Sequence, residues 1–72
     1  MKLEELNLNL KDKNLLRELA EPKTIAQCAA IMETSYNYIS TKLKVLLARN
    51  LVKKLKRNKE TRYYLNQDEI TL

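Results

Sequence analysis

Asn37, Ser40, Thr41 and Lys44 bring together an amide, two hydroxyls and an ammonium at spacings of three and four residues. On a helix, that spacing sets side chains on one side. Groups of these types can read base edges: an amide pairs bidentately with adenine, and a lysine reaches guanine or a phosphate. Nearby, Lys53, Lys54, Lys56, Arg57, Lys59 and Arg62 place six cations within ten positions. Cations at such density neutralise phosphates. Each group also has a plainer reading. The first can be a solvated helix face, and the second the lysine protection of a sheet edge. One or two lysines serve the second purpose, and six exceed it.

The charge is concentrated in one part of the chain. The 72 residues carry a formal net charge of +5. Residues 1–33 hold five basic and six acidic groups, residues 34–66 hold nine basic groups and only Glu60, and residues 67–72 add Asp68 and Glu69. The three parts therefore carry net −1, +8 and −2. Such asymmetry points to nucleic acid or an anionic surface.

Composition removes other chemistries. There is no His and a single Cys, so zinc sites and Cys–His catalysis lack their reagents. There is no Gly, which phosphate-binding loops require. No apolar run approaches the roughly 20 residues that span a bilayer, and MKLEELNLNL has no apolar core of the kind a signal peptide carries. The chain is expected to be a non-enzyme without metal or cofactor. It is expected in the cytoplasm, associated with the nucleoid if the source is prokaryotic or viral.

The elements that must position these residues follow from periodicity and capping. Residues 1–9 read as an N-terminal arm with mixed periods. Leu3, Leu6, Leu8 and Leu10 either cover the first helix, pair with the hairpin, or form a dimer interface. A first helix spans about residues 10–20, capped by Asn9, with Leu15, Leu16 and Leu19 inward and Pro22 as its stop. Thr24 and Gln27 have the capping-box spacing, which opens a second helix over about 25–32. Its Ile25, Cys28, Ala29 and Met32 share a face. Ser35 caps a third helix over about 35–49. Ile39, Leu43 and Leu46 lie on its inner face, with Tyr36 and Leu47 at that face's edge. Asn37, Thr41, Lys44 and Ala48 are opposite, and Ser40 and Tyr38 flank them. Asn50 stands where a left-handed cap belongs. Leu51–Arg57 and Arg62–Asn66 read as two strands around a turn at 58–61. Residues 67–72 form a short tail.

The expected architecture is mainly α with a small β-hairpin (α+β): three helices, then a two-stranded basic hairpin, over residues 10–66. Two helices joined by a tight turn, the second polar outside, outline a helix-turn-helix. The stretch from Thr24 to Asn66 resembles the winged helix-turn-helix core of ArsR-like and MarR-like transcriptional regulators. KLKVLLARNLV resembles the ending of their recognition helix, and RYYLN their closing strand. The likeness departs at two joints, where Glu33 and Asn50 occupy positions usually given to glycine. The Cys/His pairs of the metal-sensing members are absent, and no fourth helix follows the hairpin.

The resemblance implies a sequence-specific double-stranded DNA-binding protein and a role in transcription regulation. The third helix would enter the major groove, with Asn37, Ser40, Thr41 and Lys44 as base readers. The hairpin, or wing, would follow the backbone or an adjacent minor groove. Tyr36, Tyr38, Lys42, Lys54, Lys56, Arg57, Lys59 and Arg62 are the expected backbone contacts. For Tyr36, a half-buried ring closing the core is the competing reading. Cys28 reads as a small core residue. A homodimer through the N-terminal arm is one way to match symmetric half-sites. The alternatives are a winged-helix module that binds protein or structured RNA, and a non-specific DNA-binding protein.

Overall fold

A computed structural model describes residues 1–72. A short 3-10 turn at Leu3–Glu5 precedes α1 (Leu10–Glu18), α2 (Ile25–Ile31), α3 (Tyr36–Ala48), β1 (Val52–Arg57) and β2 (Glu60–Leu65). The expected three helices and hairpin are present in the expected order. The helix starts follow from the caps. Asn9 accepts from the Asp12 amide, Ser35 accepts from the Tyr38 amide, and Thr24 and Gln27 form both halves of a capping box. No helix is long and apolar enough to cross a membrane.

The core lies where the three helices meet the root of the hairpin. Leu15, Leu16 and Leu19 come from α1 and its end, Cys28 and Ala29 from α2, and Ile39, Leu43 and Leu46 from α3. Leu51, Val52 and Leu65 close it from the hairpin. Fully burying a leucine-sized side chain contributes about 1.5–3 kcal/mol, so this single cluster carries most of the stability available to so short a chain.

Both joints flanking α3 are Schellman caps built without glycine. After α2, the Thr34 amide donates to the Ala29 carbonyl at 2.9 Å and the Glu33 amide to Ala30 at 3.2 Å. After α3, Leu51 donates to Leu46 and Asn50 to Leu47, both at 3.0 Å. The geometry requires a left-handed residue at each joint, and Glu33 and Asn50 supply it with φ of 54° and 62°. Asparagine tolerates that region, whereas glutamate pays a steric cost of about 1 kcal/mol there.

Three features differ from the sequence reading. First, the hairpin turn is shorter than the four residues expected. Asn58 and Lys59 alone form it, both at positive φ (47° and 69°), while Glu60 and Thr61 belong to β2. A two-residue turn of this kind matches the twist of paired strands. Second, Lys23 pairs with Tyr63 as an antiparallel bridge, through amide–carbonyl bonds of 2.9 and 2.7 Å. This puts a third short segment beside β2. Third, the two chain ends close on each other, while the N-terminal segment also covers α1: Leu3 and Leu6 join the cluster of Leu15 and Leu16, and the Lys13 ammonium donates to the Glu4 carbonyl at 3.0 Å. The Leu3 amide donates to Thr71 at 2.8 Å and the Thr71 amide to Met1 at 2.7 Å. Leu3, Leu6 and Ile70 are buried in the core, so the N-terminal segment is part of the packed unit.

Asn66 joins the C-terminal segment to the end of α3. It is 1% exposed, its side-chain amide donates to the Asn50 carbonyl at 2.9 Å, and its backbone amide donates to Leu51 at 3.0 Å. Its own carbonyl accepts from Ile70 at 3.0 Å. Its Oδ1 has no partner.

Candidate nucleic-acid interface

The inner face of α3 orients its outer face. With Ile39, Leu43 and Leu46 held in the core, Asn37, Thr41 and Lys44 are exposed, and Ser40 is half-buried beside them. Short amide and hydroxyl groups therefore stand on the open side of a 13-residue helix. Val45, 51% exposed, and Ala48 share that side. Val45 lies about 120° from the Ile39 direction, a displacement that helical geometry alone would have placed outside the core. Apolar groups in such a position suit the methyl group of thymine.

The two tyrosines of the first turn stand on opposite flanks. Tyr36 is 56% exposed, which removes the reading in which its ring closes the core. It shares a cleft with the start of α2 (Thr24, Ile25, Ala26) and the wing tip (Lys59, Glu60, Thr61). Tyr38 is half-buried and packs against the core. The Lys11 and Lys42 ammonium groups lie 4.7 and 5.8 Å from its ring centroid, within the range of cation–π attraction. Tyr38 is thus a bracket between α1 and α3.

The expected backbone cations divide into free and tied groups. Strand register decides the faces: Val52 pairs with Leu65, Lys54 with Tyr63 and Lys56 with Thr61 on one face. Lys53 pairs with Tyr64, Leu55 with Arg62 and Arg57 with Glu60 on the other. Lys54, Lys56, Arg57 and Lys59 are exposed, with Lys59 at the tip, and none forms a salt bridge within the chain.

Three others are occupied. Lys42 lies 3.4 Å from the buried Asp12 of α1. Arg62 pairs with Glu60 and also donates to the Pro22 carbonyl at 3.4 Å. Lys53 meets Asp68 at 3.1 Å. The cations named from sequence therefore do not form one continuous phosphate track. Lys42 and Arg62 are brought to partners of their own chain.

The only thiol, Cys28, is fully buried in α2. Burial raises its pKa above the ordinary 9.0, while nearby Lys23 lowers it and Glu18 adds to the rise. It packs as a small apolar side chain. No group of three His, Cys, Asp or Glu side chains is placed to hold a metal.

Three helices, a tight turn before an outward-facing third helix, and an antiparallel hairpin packed on the bundle define the architecture. The fold is a winged helix-turn-helix. Solved structures share it. Lactococcus lactis ZitR, described as a zinc-responsive MarR family member, superposes with a TM-score of 0.77 at 22% identity, over 89% of this chain and 47% of that one. Wild-type ZitR in complex with DNA gives 0.70 at 18% identity, over 89% and 48%. The homodimeric winged helix-turn-helix domain of Mycobacterium bovis Mb0332, a possible ArsR-family regulator, gives 0.79 at 16% identity, over 93% and 63%. The chain spans about half the length of the ZitR structures. No family model matches the sequence, and no curated protein matches it.

The winged helix holds contacts around this face that carry no signal in the sequence. Lys11 had no signal, because its neighbour Tyr38 lies on another helix. The Lys23 bridge and the Asp12–Lys42 pair are likewise tertiary. In the sequence, Asn66 marks only the end of a strand.

Proposed function

We propose that this winged helix reads double-stranded DNA as a sequence-specific transcriptional regulator. In this reading α3 enters the major groove, presenting Asn37, Ser40, Thr41 and Lys44 to base edges with Val45 beside them. Tyr36 and the free wing cations Lys54, Lys56, Arg57 and Lys59 meet the backbone or an adjacent minor groove. The observation that carries the proposal is the pairing of an open polar face on α3 with four wing cations, Lys54, Lys56, Arg57 and Lys59, that form no salt bridge within the chain. The wild-type ZitR–DNA complex supports it by likeness of fold. Such a regulator works on DNA in the cytoplasm. Tyr38, Lys42 and Arg62 act in this reading as structural supports, because each is engaged within the chain.

A homodimer fits the same reading, and the Mb0332 domain is described as homodimeric. An interface through the N-terminal segment would rest on Leu10, which is 70% exposed, because Leu3 and Leu6 are spent in the core.

Selection from random duplexes followed by sequencing tests the proposal. Enrichment of an inverted repeat is the expected result. Retention of all sequences alike would make the protein a non-specific binder, and no retention at all would leave the protein- or RNA-binding module. Neutralising four phosphates with Lys54, Lys56, Arg57 and Lys59 gives a slope of log K against log[salt] of about −3.6.

A further inference from the structure

The seam between α1 and α3 holds a cation that the wing-centred reading does not use. Lys11 is exposed at the start of α1, and its ammonium sits 4.7 Å from the Tyr38 ring centroid. The carboxylate next in sequence, Asp12, is buried and already paired with Lys42. The ring carries no formal charge, so Lys11 keeps its full charge while losing rotational freedom.

Its position relative to the wing follows from helix geometry. Tyr36 and Tyr38 are two residues apart, about 200° around α3, so they face opposite flanks of its first turn. The Tyr36 flank borders the wing tip at Lys59. The Tyr38 flank borders Lys11. A helix about 10–12 Å across fills a major groove about 12 Å wide, which brings the phosphate walls of both strands to its flanks.

Resting on the DNA-reading function proposed above, we infer that Lys11, braced on the Tyr38 ring, is a second phosphate contact, on the strand opposite the one met by the wing. Lys42, 3.4 Å from the buried Asp12, is tied within the chain and is not that contact. The two strands are then gripped from two parts of the chain, and the register of α3 in the groove is set from both sides.

The test measures binding to a short mixed-sequence duplex from about 50 to 200 mM salt. Three single-charge variants are compared: Lys11→Gln, Lys13→Gln and Lys42→Gln. Lys13 lies about 200° from Lys11 around α1, with its ammonium on the Glu4 carbonyl, so its variant controls for the effect of lost net charge on the salt slope. Lys11→Gln is expected to make the slope shallower by about 0.9, Lys13→Gln by less than a third of that, and Lys42→Gln not at all. Thermal melting of each variant accompanies the binding data: Lys42→Gln is expected to lower the melting temperature, Lys13→Gln to lower it slightly through loss of its bond to the Glu4 carbonyl, and Lys11→Gln to leave it unchanged. Equal slopes for the Lys11 and Lys13 variants would overturn the inference. A slope loss at Lys42 matching that at Lys11 would overturn it as well. Arg57→Gln and Lys59→Gln separate the two proposals. If they flatten the slope and Lys11→Gln does not, the second contact alone fails. If none of these variants changes the slope, the DNA-reading function fails with it.

Discussion

The inner and outer faces of α3 occupy the same thirteen residues and obey different rules. Inside, Ile39, Leu43 and Leu46 are buried against two other helices and the hairpin root, and their contribution is to stability. Outside, Asn37, Thr41 and Lys44 stand in solvent, and nothing in the chain fixes their partners. The inner face fits one arrangement of side chains. The outer face is under no such packing constraint. The flanks are intermediate. Tyr38 and Lys42 are tied to α1, and Tyr36 opens toward the wing.

Substitutions on each face should move different observables. The largest effect belongs inside. Leu43→Ala should cost about 2–5 kcal/mol in chemical denaturation, because it leaves a cavity in the only core of a small domain. DNA affinity at a temperature where the variant is still folded should change little. An equal loss of both would erase the distinction between the faces.

Next is the outer face. Asn37→Ala should relax preference at one base pair by about 1–3 kcal/mol, read by binding to duplexes varied at each position, with stability unchanged. Uniform weakening of all sequences would show instead that Asn37 supplies affinity and no discrimination.

The wing sharpens the contrast between free and tied cations. Arg57→Ala should weaken all sequences alike and flatten the salt slope by about 0.9. Arg62→Ala, whose guanidinium already meets Glu60 and Pro22, should flatten it by less than half as much. Identical slopes would mean that the pairing within the wing opens on binding.

The smallest effect is at the turn that leads into α3. Glu33→Gly should stabilise the fold by less than about 1 kcal/mol, since relief of the left-handed strain is partly offset by greater freedom of the unfolded chain. Calorimetry of the pair of proteins would measure it, and a destabilised glycine variant would show that Glu33 makes a compensating contact.

Much of the fold was legible in the sequence because its signals are local. The three caps at Asn9, Thr24 and Ser35 each act within three residues, and all three open helices where expected. The leucine spacing of α3 fixed its buried face in the same way. Glu33 and Asn50 stand in the sequence as the demanding joints, and both have positive φ. The wing turn is not legible in the same way, because Lys59 is not a residue type that announces a left-handed position. The hairpin therefore looked two residues looser than it is.

The candidate site was less legible. Its exposed members, Asn37, Thr41, Lys44 and the wing cations, follow from helical period and composition. Which cations are already occupied does not. Lys42 and Asp12 are 30 residues apart, and Lys53 and Asp68 are 15 apart. Only the packing of α3 on α1, and of the closing segment beside the hairpin, brings them together.

By itself, the sequence determined the element order, the helix caps, the buried stripe of each helix and the concentration of positive charge after residue 33. Each depends on side chains within a few positions of one another along the chain. Tertiary structure alone decided that the two chain ends close on each other, that Lys23 lines the edge of β2, and that Lys11 and Lys42 share one tyrosine ring. Those contacts depend on distances between elements. Such distances are set by how one small core packs, which no local pattern encodes.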